Sequence, residues 1–296
     1  MRLKLVLLSA MAAALAIWLV PAASATYGKG HDRQGHDRNS AVVNVVHGIP
    51  GAMVDVCASG AITDGAFAPV ITHFEFTQIE KLYLPAGEYD IKVVGSAEKN
   101  SCAADAIPGL ELNDAAVPAG ANISIVANLS ADGKAFALTV GVNDTSKLDK
   151  GAARVTAYHT AAAPDVDIWA AGRDMNSKAI AAYGDFAPAL TALTNGSSKA
   201  GDVPANRYKL AIAAAPSESA DGAVKTLRAK LKRNKNTIFY AVGSLADNTF
   251  TVLKQRIKVD RHHHAKWTKH RHGKWSKHHG SSKSDQAKDR HSKSHR

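Results

Sequence analysis

Between residues 41 and 259, apolar and polar residues alternate over short stretches that are separated by turn residues. In Met53–Cys57, for example, Val54 and Val56 fall on one side and Asp55 on the other. A period of two predicts a β-strand, because successive strand side chains point to opposite faces. Strands are predicted over Ala41–Val46, Met53–Cys57, Lys81–Leu84, Tyr89–Val93, Asn122–Ala127, Ala135–Val140, Arg154–Tyr158, Val166–Trp169, Thr237–Val242 and Thr249–Leu253, and Pro204–Ile212 matches the turn and strand of Pro85–Val93.

Residues 223–232 are ambiguous. Val224, Leu227 and Leu231 have helical spacing, with Lys and Arg on the other face. The corresponding residues earlier in the chain, 115–120, include Pro118 and Gly120, which do not fit a helix interior. We therefore predict a strand and a loop over 223–232.

The chain repeats itself. Residues 43–60 and 155–172 align without a gap at an offset of 112 residues (47 to 159), and the later strands follow in the same order. This predicts two domains of one kind, residues 41–146 and 152–259, joined by a polar hinge over 143–151. Many short strands with turns between them predict an all-β fold with two tandem immunoglobulin-like or transthyretin-like β-sandwiches. The repeated polar and glycine positions are His47 and His159, Asp55 and Asp167, and Gly60 and Gly172.

The opening line of each repeat resembles DUF4397, a bacterial extracellular domain of unknown function, over roughly residues 41–259. The Pro85-Ala86-Gly87-x-Tyr89 element and the strand 239–243 also resemble that family. Three positions depart from its pattern: Cys57 and Trp169 replace its usual aromatic residue, and Asn206 replaces a glycine, which Asn can do in a left-handed turn. The resemblance implies a β-sandwich on a secreted or wall-associated protein and no established activity. The matching residues of the opening line are Val43, Val45, Val46, His47, Pro50, Val54, Asp55, Val56 and Gly60 in the first repeat, and Val155, His159, Pro164, Val166, Asp167, Ile168 and Gly172 in the second.

The N-terminus has the pattern of a secretory signal peptide. Arg2 and Lys4 precede an uncharged run, residues 5–20, and Ala23-Ser24-Ala25 fits the cleavage rule. We predict cleavage after residue 25, since the run is shorter than the ~20 residues of a membrane span; the alternative is an uncleaved anchor. Residues 26–40 are expected to be a disordered linker, and no later stretch could cross a bilayer as a helix. The mature protein is predicted to be secreted, extracellular or cell-wall associated.

The charge of +11 is unevenly placed. Residues 260–296, the C-terminal tail, contain eleven Lys or Arg and three Asp, whereas residues 41–259 are close to neutral. The core therefore has no net basic character that would attract nucleic acid. The tail also contains nine of the fourteen histidines and is predicted to be disordered.

The tail suggests two kinds of binding, with a solvating tail that has no specific partner as the alternative to both. Interleaved cations and tryptophans suit an anionic cell-wall or extracellular polymer, by charge attraction and stacking. Clustered imidazoles bind Zn, Cu or Ni to some extent, so adventitious metal is expected but no dedicated cofactor. The polymer-binding candidates are Lys266, Trp267, Lys269, Arg271, Lys274, Trp275 and Lys277, and the metal candidates are His262, His263, His264, His270, His272, His278 and His279.

Cys57 and Cys102 are the only cysteines. An even count in an exported chain favours a disulfide; two free buried thiols are the alternative. The enclosed loop corresponds to roughly 4 kcal/mol in the chain-entropy account of disulfide stabilisation.

The repeated His and Asp are the sharpest catalytic candidates, because a His–Asp hydrogen bond could orient an imidazole as a general base. No nucleophile motif accompanies either pair, so we expect structural roles: His satisfying loop carbonyls and Asp capping the turn. His73 and Glu75 are expected on a solvated strand face. Three hypotheses remain: a non-enzymatic surface protein whose β-domains present a surface to a protein or glycan, a metal-binding protein, and an enzyme of unrecognised type.

Overall fold

The computed structural model describes residues 39–63, 65–97, 101–174 and 183–259. The predicted signal peptide, most of the linker and the whole C-terminal tail lie outside these residues.

Sixteen strands account for most of the described chain, as the period-two pattern predicts. The strands are β1 (Ser40–His47), β2 (Val54–Gly60), β3 (Ala68–Phe74), β4 (Ile79–Pro85), β5 (Gly87–Gly95), β6 (Glu111–Val117), β7 (Asn122–Leu129), β8 (Phe136–Val142), β9 (Ala152–His159), β10 (Val166–Gly172), β11 (Ala187–Leu193), β12 (Ser197–Pro204), β13 (Arg207–Ala214), β14 (Lys225–Lys230), β15 (Lys235–Val242) and β16 (Thr251–Lys258), with a short 3₁₀ turn at Ser101–Ala103.

The strands form four sheets of four, two in each half of the chain. Unit 1 (β1–β8) contains the sheets β4-β1-β7-β8 and β3-β2-β5-β6. Unit 2 (β9–β16) contains β12-β9-β15-β16 and β11-β10-β13-β14, which is the same order advanced by eight strands. In both units the first and seventh strands pair in parallel and the other pairs are antiparallel. The fold is thus all-β, with two sandwiches of one topology.

The ambiguous segment 223–232 contains a strand and loops, as predicted. Lys225–Lys230 forms β14, whose register with β13 places Leu227 opposite Leu210. Leu227 and Leu231 contact the core of unit 2. The helical spacing is therefore coincidental, because partial burial of one strand face and of the following loop produces the same pattern.

The two units pack against each other through the outer faces of the sheets that contain β1 and β9. Val46 and Val126 from unit 1 form one apolar cluster with Tyr158 and Tyr240 from unit 2. The rings of Tyr158 and Tyr240 stack with their centroids 5.1 Å apart. The central strands β1, β7, β9 and β15 are consequently buried on both faces.

The connection predicted as a polar hinge, residues 143–151, is polar and largely exposed, but it is anchored at two buried residues. Asn143 and Leu148 are 2% and 3% exposed. Arg154 fixes the segment further, because its Nη1 lies 2.6 Å from the Asp144 carboxylate while its Nε and Nη2 bind Asp202. Asn143 and Asp144 thus tie the connection to the units, while Ser146, Lys147, Asp149 and Lys150 are exposed to solvent.

Candidate functional site

The repeated histidines lie inside the sandwiches and bind the turn that follows them. His47 and His159 are both 0% exposed. His47 Nε2 donates to the Ala52 carbonyl at 3.0 Å, and its Nδ1 accepts the Ile49 N–H. His159 Nε2 donates to the Pro164 carbonyl at 2.8 Å. Burial lowers the pKa of both rings, although these hydrogen bonds oppose the shift.

The repeated aspartates lie on the other sheet and hold a bulge in its edge strand. Asp55 Oδ1 accepts the N–H of His73, and Asp167 Oδ1 accepts the N–H of Ala192, at 2.8 and 2.7 Å. His73 and Ala192 have φ of 54° and 50°, in the left-handed region, and each lies in a strand whose register with its neighbour is shifted. The expectation that Asp caps its own turn is therefore wrong: it satisfies the donor that the bulge frees.

Hydrogen bonds keep both carboxylates ionised. Burial opposes ionisation of Asp55, but bonds from Ser101, His73 and Ser96 outweigh it and lower the pKa. The pKa of Asp167 is lowered first by the Ala192 N–H and then by Ser217, again against burial. The imidazole and carboxylate of each repeat face different partners, so the structure brings no His–Asp pair together.

Cys57 and Trp169 occupy equivalent positions, and each anchors a loop to its sheet, the first by a disulfide and the second by packing and a hydrogen bond. Cys57 bonds to Cys102, at a sequence separation of 45 and with Cα atoms 5.7 Å apart, which confirms the predicted disulfide. Trp169, at the equivalent position, packs on Ala211 and Ala213 and donates from Nε1 to Ser217 Oγ. Each therefore anchors a loop on the outer face of its sheet: residues 101–110 in unit 1 and 215–224 in unit 2.

In unit 1, steric constraints require glycine at the repeated position. Gly60 has φ +135°, and a Cβ there would lie 2.7 Å from the Glu88 carbonyl oxygen and 2.8 Å from the Tyr89 ring. Gly172 has no such φ, and its nearest contact would be 3.4 Å. The tyrosines beside these glycines, Tyr89 and Tyr208, each donate a hydroxyl to the proline carbonyl four residues earlier, which closes the corner between strands.

A closed ring of hydrogen-bonded side chains joins the two units. The Ser124 and Tyr240 hydroxyls are 2.7 Å apart across the interface, and Tyr240 donates onward to Gln255. Tyr158 joins the ring by donating to Asn143. Burial raises the pKa of Tyr240 far above its ordinary value, so the hydroxyl stays protonated. The ring runs through Asn44, Asn122, Asn143, Ser124, Tyr240 and Gln255, and its six links measure 2.7–2.9 Å.

One end of unit 2 forms a basic cleft of about 380 Å³. It is bounded by the end of β10, the turn between β12 and β13, and the loop after β14. No carboxylate is among the described residues that line it. The lining residues are Arg173, Ala205, Asn206, Arg207, Lys230, Leu231, Lys232 and Arg233.

Within the described residues, no group of three or more His, Cys, Asp or Glu is arranged to hold a metal ion. His73 and Glu75 are exposed, in agreement with the expected solvated face. The polymer and metal candidates of the tail, Lys266 to Lys277 and His262 to His279, lie outside the described residues and remain predictions. In the part of the chain that is described, no helix is long and apolar enough to cross a membrane.

The comparison with known families gives the first unit a name. Residues 41–169 match DUF4397, a domain of unknown function. The chain contains a DUF4397 domain. The match runs through unit 1 into β10, and so includes the opening His and Asp of both repeats. It ends at Trp169, and the likeness of unit 2 to the DUF4397 domain is carried by the identical strand order.

Solved structures are similar to this chain at 10% sequence identity. The tip fimbrial protein Mfa3 from Porphyromonas gingivalis, with a C-terminal truncation, covers 74% of this chain and 99% of its own, with a TM-score of 0.25. The Bacillus anthracis TIE protein covers 70% and 34%, with a TM-score of 0.20. A DUF3823 family protein from Bacteroides ovatus covers 65% and 96%, with a TM-score of 0.19. No curated protein matches the chain.

The DUF4397 domain of unit 1 and its counterpart in unit 2 carry opposite charge. Residues 41–146 contain four Lys or Arg and twelve Asp or Glu, whereas residues 152–259 contain fifteen and eight. The near-neutral core predicted from the sum is thus an average over an acidic and a basic half. The basic cleft was missed for this reason, and a count for each repeat would have indicated it.

Asn206 organises the basic cleft, and it is one of the departures from the DUF4397 pattern. Its Nδ2 donates to the Arg173 carbonyl, its Oδ1 accepts the Arg207 N–H, and its own carbonyl accepts the Leu231 N–H. Neither Asn206 nor Gly87, its counterpart in unit 1, has a positive φ. The left-handed turn is therefore the wrong explanation for this Asn; the structure shows that it joins the three segments of the cleft.

Proposed function

We propose that this chain is a secreted or cell-surface binding protein without enzymatic activity, held to an anionic envelope polymer by its C-terminal tail. The observation that carries the proposal is the distribution of charge. Residues 152–296 contain 26 of the 37 Lys and Arg, and the tail follows directly on β16. A chain whose cations are collected at one end has the electrostatic form of a polyanion-binding protein.

The fold supports a role in binding. The repeated His and Asp, which were the best catalytic candidates, are accounted for by the turn and the bulge that they hold. The ring of hydrogen bonds and the stacked tyrosines join the two units into one body. Such a body can present a fixed surface while the tail holds it to the polymer.

Binding of the tail to a polyanion would be driven by release of counterions. Each Lys or Arg that neutralises a phosphate releases a bound cation from the polymer, so the affinity falls with added salt. Trp267 and Trp275 lie between cations and add stacking where the polymer carries bases or rings.

The test compares the whole mature chain with a chain ending at Val259, which keeps every described strand. The ligand is immobilised poly(glycerol phosphate) in 50 mM NaCl. We expect the shorter chain to bind at least about tenfold more weakly, since loss of several phosphate contacts costs that much or more. A chain with all nine tail histidines changed to Gln is the matched control and should bind within about threefold of the natural one at pH 7.5, where imidazole is mainly neutral. Equal affinity of the long and short chains would refute the proposal.

The nine histidines favour a second function, capture of extracellular Zn or Cu by the tail. Equilibrium dialysis at pH 7.5 separates the two. Metal capture predicts several bound ions that disappear in the His→Gln chain, while polymer attachment predicts that this chain still binds poly(glycerol phosphate). Fewer than one ion bound per natural chain at micromolar free metal would exclude capture as the function.

A further inference from the structure

We propose that the basic cleft of unit 2 is a phosphate-binding subsite that holds one phosphodiester group of an anionic polymer. The inference deepens the proposed function and rests on it only in taking the polymer to be the same one that the tail contacts. The cleft is a separate, structured site, and its affinity for phosphate can be measured apart from the tail.

The cleft is built to keep cations close together at a cost in stability. In the register of β13 with β14, Arg207 lies opposite Lys230, and Lys209 lies opposite Arg228. Like charges directly opposite in a sheet destabilise it. Arg207 and Lys230 both line the cleft, and an anion bound there would neutralise the repulsion between them. The pairing of like charges is therefore explained by anion binding and not by the stability of the sheet.

Arg173 gives the cleft an unused donor. Its Nε is buried and, among the described residues, has no hydrogen-bond partner. Its backbone is fixed on both sides, because the N–H donates to the Arg207 carbonyl and the carbonyl accepts from Asn206. A buried guanidinium N–H without a partner is costly, so a side-chain rotation that brings Nε to a phosphate oxygen in the cleft would be favourable.

The chemistry of the lining suits an oxyanion such as phosphate. Arg173, Arg207 and Arg233 offer planar forks that match phosphate oxygens in pairs, and Lys230 and Lys232 add point charges. The volume of about 380 Å³ lies in the lower part of the roughly 300–1,000 Å³ range of small-ligand sites. The site therefore fits a single phosphodiester with its neighbouring groups, and a long polymer would continue out of it.

The tail begins beside the cleft. Lys258, at the end of β16, lies opposite Lys235, which is two residues beyond Arg233. The Arg256 Nη2 reaches the Lys230 carbonyl at 3.5 Å. Because the described chain ends near the cleft, the eleven cations of residues 260–296 are attached close to it, and the cleft and the tail would bind one polymer together.

The DUF4397 domain of unit 1 offers no equivalent site. At the positions of Asn206 and Arg207 it has Gly87 and Glu88. It lacks both the residue that joins the three segments and the cation that faces the phosphate. The subsite is therefore a property of unit 2.

The experiment uses the full mature chain with Arg173→Gln and Arg207→Gln together. Its matched control is Lys225→Gln with Lys254→Gln, which removes the same charge from exposed strand positions of unit 2 that do not line the cleft. Calorimetry with inorganic pyrophosphate measures the cleft, and binding to poly(glycerol phosphate) measures the polymer. We expect the Arg pair to lose about tenfold or more with both ligands and the Lys pair to change less than about threefold, because charge-assisted hydrogen bonds to phosphate exceed unpaired surface charge.

Equal losses in the two variants would overturn the proposal. The proposal would also be overturned if the Arg pair lost as much affinity for alginate, a polycarboxylate, as for poly(glycerol phosphate). The cleft would then not distinguish phosphate from carboxylate. Single-stranded DNA separates the sources of the phosphodiester: tighter binding of poly(glycerol phosphate) supports an envelope polymer, and tighter binding of DNA overturns that assignment. If the Arg pair instead abolishes self-association with the acidic unit 1 of a second copy, measured by sedimentation without polymer, the cleft is an interface between copies and the proposal is wrong.

The variant Asn206→Gly tests the cleft independently, in case the Arg173→Gln/Arg207→Gln variant does not fold. It keeps every cation but removes the side-chain bonds that join the segments of the cleft. We expect it to weaken binding of pyrophosphate, and to weaken binding of poly(glycerol phosphate) by less than the Arg pair does, while the circular dichroism spectrum stays unchanged. If the natural chain binds pyrophosphate but not the polymer, the proposed function fails and the subsite stands. If it binds the polymer but not pyrophosphate, the subsite fails alone.

Discussion

Changing Tyr240 to Phe tests whether the two units form one cooperative body. The Tyr240 hydroxyl accepts from Ser124 and donates to Gln255 Oε1, at 2.7 and 2.9 Å. Its loss removes two hydrogen bonds and leaves the buried Ser124 hydroxyl and the partly buried Gln255 amide oxygen without this partner. A buried group left unsatisfied costs about 1–3 kcal/mol, so we expect a loss of about 2–3 kcal/mol in the free energy of unfolding.

The ring can be tested further with a double-mutant cycle. Ser124→Ala removes the other side of the same hydrogen bond and also a partner of Asn143. Because the two residues are in contact, the double variant should be less destabilised than the sum, with a coupling of about 1 kcal/mol. Tyr208→Phe is the control, since its hydroxyl binds Pro204 within unit 2 and should not couple to Ser124.

Urea unfolding followed by circular dichroism gives the free energies. The natural chain should unfold in one transition, because the interface couples the units. A coupling below about 0.3 kcal/mol between Tyr240 and Ser124, or two separate transitions in the natural chain, would refute the reasoning, since distant independent sites behave additively within that range.

The other predictions concern stability and pH. Changing Cys57 and Cys102 to Ser should lower the unfolding free energy by about 4 kcal/mol for a loop of this length, and Trp169→Ala should cost a similar ~3–5 kcal/mol; urea unfolding of both checks this, and a loss below about 1 kcal/mol in either would contradict the shared anchoring role. The pKa of His47 and of His159 is lowered in the folded state, so the unfolded chain takes up protons first and stability should fall as the pH drops below ~6.5. Urea midpoints at pH 7.5 and 5.5 test this, with an unchanged or higher midpoint at pH 5.5 as the contrary result. Protonation of the tail histidines over the same interval should tighten binding to poly(glycerol phosphate), and the His→Gln chain should lose this pH dependence; equal pH dependence in both chains would be evidence against it.

Sequence periodicity indicated most of the strands and the repetition of their order, but it did not predict β6, β11 and β12, which are largely exposed. It also contained evidence against a His–Asp pair. His47 has the parity of the core residues Val43 and Val45, whereas Asp55 has the parity opposite to Val54 and Val56. Two side chains on different faces of different sheets do not meet across a tight turn. The catalytic hypothesis could therefore have been rejected by counting positions.

Packing between the units was not predictable from the pattern. Asn44 and Ser124 alternate with core residues and have the chemistry of solvent-facing positions, yet both are fully buried. Their burial depends on partners more than a hundred residues away, Gln255 and Tyr240, which no local pattern reveals. Asn143 is a further example: its sequence context is that of a loop, but its side chain is hydrogen-bonded within the interface.

The cleft was not predicted for two reasons. The net charge was summed over both repeats, and Asn206 was interpreted as a tolerated substitute for glycine. Its effect depends on three segments meeting at one end of unit 2, which becomes visible only in the folded chain.

The most direct test of polymer attachment is the salt dependence of binding. The dissociation constant of the full mature chain for poly(glycerol phosphate) should be measured from 50 to 200 mM NaCl. If the tail and the cleft neutralise six to ten phosphates, the affinity should fall by about 10³-fold or more over this interval, and the chain ending at Val259 should show a shallower slope. A change of less than about threefold, or the same slope in both chains, would contradict the account.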